Sequence, residues 1–337
     1  MSSAMARATI VGDGAMGTLC ALLLAEHGTK VTMWGAFPDH IAKLAEDREN
    51  KQFLPGCAFP ETMTVVSAVS EAFDNPGMIV SAVPCQHMRS VWERFGPHVP
   101  RDVPIVSVAK GIEVGTLLRP TAIIRDCIGD VPVAALSGPS IAPEVAAKKP
   151  ASVVVAAEDS MVAERAQVGF STEYFRVYTS ADPVGVELAG ASKNVIALSA
   201  GICDGIEGGC NAKASLVTRG LVEITRLGVA LGASADTFRG LAGVGDLMTT
   251  CISKVSRNRT AGERIGRGAT AEEVVAATSS VIEGIPTTQS VLALAQQHHV
   301  EMPIVSAIAS VLFEGKRPEE AIRELMTRPL KSESIGV

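Results

Sequence analysis

The 337-residue sequence is poor in aromatic side chains, at 4%, and carries no excess of basic charge. Its 30 Lys and Arg stand against 36 Asp and Glu, for a formal net charge of -6. Nucleic-acid binding usually rests on basic excess that neutralises phosphates, and single-strand binding on rings that stack bases, so both classes are excluded as expectations. Cysteine is scarce and scattered. The seven cysteines form no CxxC pair, which argues against a zinc site or a redox dithiol and for small buried hydrophobes in a reducing compartment. No apolar run is long enough to cross a bilayer, and residues 1–7 lack the apolar core of a signal peptide, so a cytoplasmic location without a transmembrane segment is expected. A histidine cluster of metal-binding type, a Ser-His-Asp pattern and a Walker A loop are all missing.

What is present is an ordinary globular composition, 47% hydrophobic and 20% charged, long enough for about two domains. Residues 8–12 form a short apolar run ending at Gly12, as a buried parallel strand would. Thr18 to His27 reads as a helix, stopped at Gly28, and residues 30–34 as the next strand. Apolar runs follow at 78–83, 104–109, 131–136 and 152–157, mostly separated by helical or loop-like stretches. This alternation predicts a parallel, doubly wound α/β sheet. From about Asp182 the texture becomes helical, with Ala, Leu, Ile and Val at helical spacing over 184–200 and 212–231. The expected organisation is therefore a Rossmann-type dinucleotide-binding domain over 1–182 and an all-α substrate domain over 183–337.

Gly12-Asp13-Gly14-Ala15-Met16-Gly17 matches GxGxxG. The pattern alone is weak in a chain with 31 glycines, and Gly240-Leu-Ala-Gly-Val-Gly245 is glycine-rich with no strand before it. The first loop has a strand feeding it and a helix leaving it, so backbone N–H groups and a helix N-terminus can face a pyrophosphate. A tight strand–helix turn without a ligand is the blander alternative. An acid normally ends the second strand where NAD ribose is read. Here Trp34 is followed by Gly35-Ala36-Phe37-Pro38, the first acid is Asp39, and no Arg is near for a 2′-phosphate, so the choice between NAD and NADP stays open.

Ligands in such sheets sit beyond the carboxyl ends of the strands, where Val83-Pro84, Lys110-Gly111 and Ser137-Gly138-Pro139-Ser140 fall. Lys110 there reads either as an inward-pointing cation or as a solvated strand end. Lys193 is more informative, because its neighbours at helical spacing are Val186, Ala189, Gly190, Ile196, Ala197 and Ala200. Burial on that face lowers a lysine pKa toward the range useful for a general acid, while a nearby carboxylate opposes the shift. A snorkelling lysine is the alternative. Asp246, after the second glycine run, reads as a helix cap or as the partner of Lys193. Ser256-Arg257-Asn258-Arg259 concentrates donors suited to phosphate oxygens, or forms a solvated polar loop. Read this far, the chain is a dinucleotide-dependent dehydrogenase, a 2- or 3-hydroxy acid being one class of substrate, or a catalytically silent dinucleotide sensor.

The ordered set of short segments resembles the bacterial NAD(P)-dependent glycerol-3-phosphate dehydrogenases over nearly the whole chain. It comprises residues 12–17, Phe53-Leu-Pro55, Ala82-Val-Pro84, Ala109-Lys-Gly-Ile112, Ser137-Gly-Pro-Ser-Ile-Ala142 and Gly185-Val-Glu-Leu188. Lys193-Asn-Val-Ile196, Asp204-Gly205, Thr218-Arg-Gly220, Gly243-Val-Gly-Asp246, Ser256-Arg-Asn258, Ile282-Glu-Gly284 and Met302-Pro303 complete it. The resemblance implies reversible reduction of dihydroxyacetone phosphate to sn-glycerol 3-phosphate by NADH or NADPH, for glycerophospholipid synthesis. It implies Lys193 as proton donor and acceptor with Asp246 beside it, and a homodimer. It also implies substrate contacts from Lys110, Gly138, Ser140, Lys193, Asp246, Ser256, Arg257 and Asn258. Cofactor contacts are implied for Gly12, Gly14, Ala15, Met16, Gly17, Phe53, Lys110, Ala142, Arg257, Val281 and Glu283. Met16, Ala36, Ala189 and Ser192 depart from the usual family residues, the first two at positions that bear on cofactor preference.

Overall fold

This computed structural model of the chain describes residues 5–278, 280–330 and 332–333; residues 1–4, part of the stretch from which the lack of a signal peptide was read, lie outside them. Two compact units are formed, one from Met1–Ala109 with Pro120–Pro183, the other from Lys110–Arg119 with Val184–Val337. The single cut at residue 182 therefore differs from the fold at one segment. Lys110–Arg119 directly follows a strand of the first unit, yet it packs with the second, where Arg119 pairs with the buried Glu187 and Ile112 O accepts from Ser290 Oγ at 3.0 Å.

The first unit is built on strands β1 (Arg7–Val11), β2 (Lys30–Trp34), β3 (Met63–Val66), β4 (Met78–Ser81), β5 (Ile105–Ser107), β6 (Val133–Ser137), β7 (Ala151–Ala156) and β8 (Phe175–Ser180). Its helices are α1 (Ala15–Glu26), α2 (Pro38–Asp47), α3 (Val69–Ala72), α4 (Cys85–Phe95), α5 (Pro120–Ile128), α6 (Ala142–Ala146) and α7 (Ser160–Phe170). The strands form one sheet in the order β3-β2-β1-β4-β5-β6-β7-β8. The strand order turns back between β1 and β4, the position at which doubly wound sheets bind ligands.

Strands β1 to β6 are mutually parallel, whereas β7 runs antiparallel to β6 and parallel to β8. The sheet is thus mixed, not all-parallel as the alternation predicted. The connection from β6 to β7 carries only the five-residue α6, where a parallel crossover usually carries a longer helix. Strands β3 and β8 were not predicted. Both are edge strands; β8 alternates buried and exposed residues at its start, so it never presents the continuous apolar run of β4, β5 and β6. Helix α1 begins at Ala15, three residues before the expected Thr18, because the glycine turn ends sooner.

The second unit is helical: α8 (Pro183–Gly205), α9 (Gly209–Ala230), α10 (Ala235–Arg239), α11 (Asp246–Ile252), α12 (Arg257–Gly266), α13 (Ala271–Ala276), α14 (Gly284–Gln297), α15 (Pro303–Phe313) and α16 (Pro318–Met326). One π-helical turn, Leu241–Gly245, leads into α11. Helix α8 is buried on all sides from residue 185 to 203, the mark of a central core helix. Helix α12 lies directly on it. A Cβ added at Gly201 would fall 1.9 Å from Arg259 O, and one at Gly262 would fall 2.0 Å from Leu198 O. Glycine on both faces lets the two backbones touch, and this contact fixes the start of α12 beside the middle of α8. Among the described residues, no helix is long and apolar enough to cross a membrane.

Candidate active site

In the first unit the glycine loop joins β1 to α1. Gly12 has φ +114, and a Cβ there would stand 2.7 Å from Ala82 O, so close approach of the chain after β4 requires glycine. A Cβ at Gly17 would stand 2.0 Å from Gly12 O, so tight strand–helix packing requires it too. Gly14 differs. Its φ of -73 is ordinary, and a Cβ there would meet nothing within 4 Å. Protein packing does not demand glycine at that point, whereas a pyrophosphate approaching the backbone would. No side chain caps α1, and its first turn holds no acid, which leaves its N-terminus suited to an anion. These residues fit a dinucleotide.

Asn50, which no sequence pattern singled out, braces this loop. Its fully buried amide donates to Asp13 O and Thr18 Oγ1, each at 2.8 Å, and its Oδ1 accepts from Phe53 N at 3.1 Å. Phe53 stands edge-on to His40 at 5.7 Å between ring centroids. Ala15, Met16 and Gly17 form the first turn of α1. Further along the sheet Gly138 follows β6 at φ +132, and a Cβ there would press on Val153 at 2.9 Å. Ser140 Oγ donates to Gly138 O at 3.1 Å, and Ala142 opens α6, which packs against α1.

The second unit brings together three charged residues that are far apart in sequence. Lys193 Nζ donates to Asp246 Oδ1 at 2.5 Å and to Thr250 Oγ1 at 2.7 Å, while Lys110 Nζ donates to Asp246 Oδ2 at 2.5 Å. Lys193 is only 6% exposed and Asp246 only 2%. Burial pulls the Lys193 ammonium down to about 8; Asp246 pushes back, and Lys110 adds to the lowering. Burial works to raise the Asp246 carboxyl, but the two ammonium groups outweigh it and hold it below the usual carboxylate range. Asp246 lies in the first turn of α11, and its carboxylate faces the lysines. Thr250, one helical turn on, was not anticipated; its hydroxyl bonds Asp246 O at 2.7 Å and so is aimed at Lys193.

A second chain of hydrogen bonds ties this cluster to α12. Asn194 Nδ2 donates to Lys110 O, Asn258 Nδ2 donates to Asn194 Oδ1, and Gly284 N donates to Asn258 Oδ1, each at 2.9 Å. Ser256 caps α12, its Oγ accepting from Arg259 N at 3.3 Å. Residues 256–258 are therefore not a loose polar loop but the N-terminus of a ten-residue helix. Arg257 extends from it and donates to Val281 O at 2.9 Å, which brings Val281 beside it; Glu283 precedes α14. Arg257, Ser256 and Asn258 thus converge by one helix start, next to Lys193 through Asn194.

Residues 7–163 match the model of the NAD-dependent glycerol-3-phosphate dehydrogenase N-terminus, and residues 182–323 match that of the C-terminus. The chain belongs to this dehydrogenase family. A glycerol-3-phosphate dehydrogenase [NAD(P)+] of Citrifermentans bemidjiense is 45% identical over 329 residues, covering 97% of this chain and 98% of the relative. One from Streptomyces griseus is 43% identical over 330 residues, with the same coverage. The crystal structure of glycerol-3-phosphate dehydrogenase from Coxiella burnetii superposes with a TM-score of 0.92 at 37% identity, covering 96% of this chain and 99% of that one. As a member of the glycerol-3-phosphate dehydrogenase family the chain is an oxidoreductase of the NAD(P)-dependent type, with a Rossmann-type first unit and a helical second one.

Proposed function

We propose that this chain reduces dihydroxyacetone phosphate to sn-glycerol 3-phosphate, reversibly, with NADH or NADPH, and so supplies glycerophospholipid synthesis. The observation that carries the reading is the buried Lys193–Asp246–Lys110 cluster beside the N-terminus of α12, in a family whose relatives bear that activity in their names. The dinucleotide, when bound, supplies the hydride. Gly12, Gly14, Ala15, Met16 and Gly17 would hold the dinucleotide through backbone N–H groups, with Phe53 and Ala142 as further contacts by family resemblance. By family resemblance, Lys110, Arg257, Val281 and Glu283 would be further cofactor contacts.

Lys193 carries the proton. With its ammonium drawn down to about 8, it is protonated near neutral pH yet able to release a proton to the carbonyl oxygen as negative charge develops there. Asp246 orients the Lys193 Nζ and, by holding Lys110 on its other oxygen, places two cations together to receive the substrate. In the reverse direction neutral Lys193 takes the proton from the C2 hydroxyl. The phosphate of the substrate falls to Ser256, Arg257 and Asn258, where the α12 dipole and the Arg257 fork favour a dianion. Gly138 and Ser140 are further substrate contacts. A cytoplasmic homodimer completes the proposal, on the strength of family resemblance.

The test is the loss of reduced-nicotinamide absorbance on adding dihydroxyacetone phosphate. Brisk oxidation is expected. A folded protein that oxidises neither NADH nor NADPH with this ketone, but does so with another hydroxy-acid precursor, would replace the substrate in the proposal.

A further inference from the structure

The end of β2 lacks the acid that reads a ribose, since Gly35 and Ala36 stand there, yet a carboxylate occupies that space. It comes from the glycine loop. A Cβ built on Gly35 would lie 2.4 Å from Ile41 Cδ1, 2.5 Å from Asp13 Oδ2 and 2.8 Å from Asp13 Cγ, so the Asp13 carboxylate and the tip of Ile41 together fill the volume a side chain at 35 would take. Asp13 Oδ2 is buried with no hydrogen-bond partner among the described residues, and the side chain as a whole is 17% exposed. His40 Nε2, from α2, faces it at 3.6 Å, too long for a good hydrogen bond, and is itself buried and unpartnered. Asn50 locks the Asp13 backbone in place, so the carboxylate is preset.

We infer that Asp13 selects NADH over NADPH by accepting a hydrogen bond from the ribose 2′-hydroxyl, in the role that an acid at the end of β2 plays in other dinucleotide folds. The inference rests on the proposed function's use of the glycine loop for a dinucleotide, and deepens it. A buried acceptor without a donor is costly, and a hydroxyl supplies the donor. A 2′-phosphate has no proton to give near neutral pH and would meet a fixed negative charge, so discrimination comes from repulsion as well as attraction. Basic groups nearby do not offset this. Arg48, just past α2, directs its guanidinium to the carbonyls of Met63, Phe59 and Pro60, at 2.9, 3.3 and 2.6 Å. His40 is held against Asp13 itself.

The experiment is direct binding, by fluorescence of the reduced nicotinamide, of NADH and NADPH to the full-length protein and to Asp13→Asn and Asp13→Ala. Competition by AMP and by adenosine 2′,5′-bisphosphate gives a readout free of the nicotinamide. The wild type is expected to bind NADH at least about tenfold more tightly than NADPH, since like-charge juxtaposition is costly. Asp13→Asn, which keeps an acceptor and loses the charge, should narrow that ratio chiefly by tighter NADPH binding; Asp13→Ala should narrow it by weaker NADH binding as well. Equal affinities in the wild type, tighter NADPH, or an unchanged ratio in a folded Asp13→Asn protein would overturn the inference while leaving the family's chemistry intact. Binding of neither dinucleotide would overturn both. The wild-type ratio decides even where a variant fails to fold.

Discussion

Lys193 Nζ and Asp246 Oδ1 lie 2.5 Å apart although 53 positions separate them in the chain, and the same carboxylate holds Lys110 on its second oxygen. The shared carboxylate holds together two cations, the buried Lys193 and the partly buried Lys110, that would otherwise repel. It also means that removing either lysine leaves Asp246 with a partner. Losing one member of a buried charge pair is usually severe because the other is stranded. Here the third member limits that damage, so the lysines can be tested by substitution.

Lys193→Ala should lower turnover by about 10²–10⁴-fold, the contribution typical of a positioned acid–base group, while NADH or NADPH still binds. Steady-state rates and cofactor titration on the same preparation check this. Near-normal turnover would remove Lys193 from proton transfer.

The rate of ketone reduction should depend on pH through Lys193. The protonated form is the donor, so reduction falls as pH rises past about 8, and oxidation of the alcohol, which needs the neutral amine, rises over the same range. Asp246 acts to raise the Lys193 pKa, so Asp246→Asn should shift the alkaline limb of kcat/KM for reduction to lower pH. A limb that stays in place or moves upward would mean that Asp246 does not tune Lys193.

The two glycines of the loop should separate by their effects. Gly17→Ala places a methyl 2.0 Å from Gly12 O and should destabilise the fold by about 1–3 kcal/mol, as overpacking does. Gly14→Ala meets nothing in the protein and should leave the melting temperature nearly unchanged while weakening dinucleotide binding. Thermal melts and cofactor titration of both variants give the comparison; a Gly14→Ala protein with wild-type affinity would show that the cofactor does not approach that backbone.

Glu223 on α9 supplies a stability switch of its own. Its Oε1 and Oε2 accept from Ile304 N at 2.9 and 3.0 Å, and Oε2 from Val305 N at 3.3 Å, so it caps α15. Burial nevertheless pushes its carboxyl up to about 7, against those bonds and the more distant Arg226 and Arg328. A carboxyl raised from 4.5 binds its proton more tightly when folded, so its contribution to stability is greatest below about 4.5 and is lost as pH rises toward about 7. Glu223→Gln keeps an acceptor and removes the titration. Its melting temperature relative to wild type should therefore climb between about pH 5 and pH 8; a constant difference would show that Glu223 does not titrate in that window.

The sequence by itself determined the layout of the buried parts. The central strands and α8 are buried on both faces or all round, so their apolar runs stand out without any knowledge of neighbours. Lys193 was legible for the same reason, as a charge set among small apolar residues at helical spacing, and the glycine loop because a strand and a helix flank it. The edge strands β3 and β8 were not, since they are only partly buried and present no continuous apolar run. Tertiary structure alone decided the rest. That β7 reverses direction, that Lys110 packs with the helical unit, and that Gly201 and Gly262 let α12 lie against α8 all depend on which backbones meet. Asn50, Asp13 and Thr250 are ordinary polar residues in sequence, and contacts across 32 to 57 positions tie Asn50 to Asp13 and Thr18 and Thr250 to Lys193. A hydrogen bond at such separation leaves no periodicity behind, whereas burial of a whole face does.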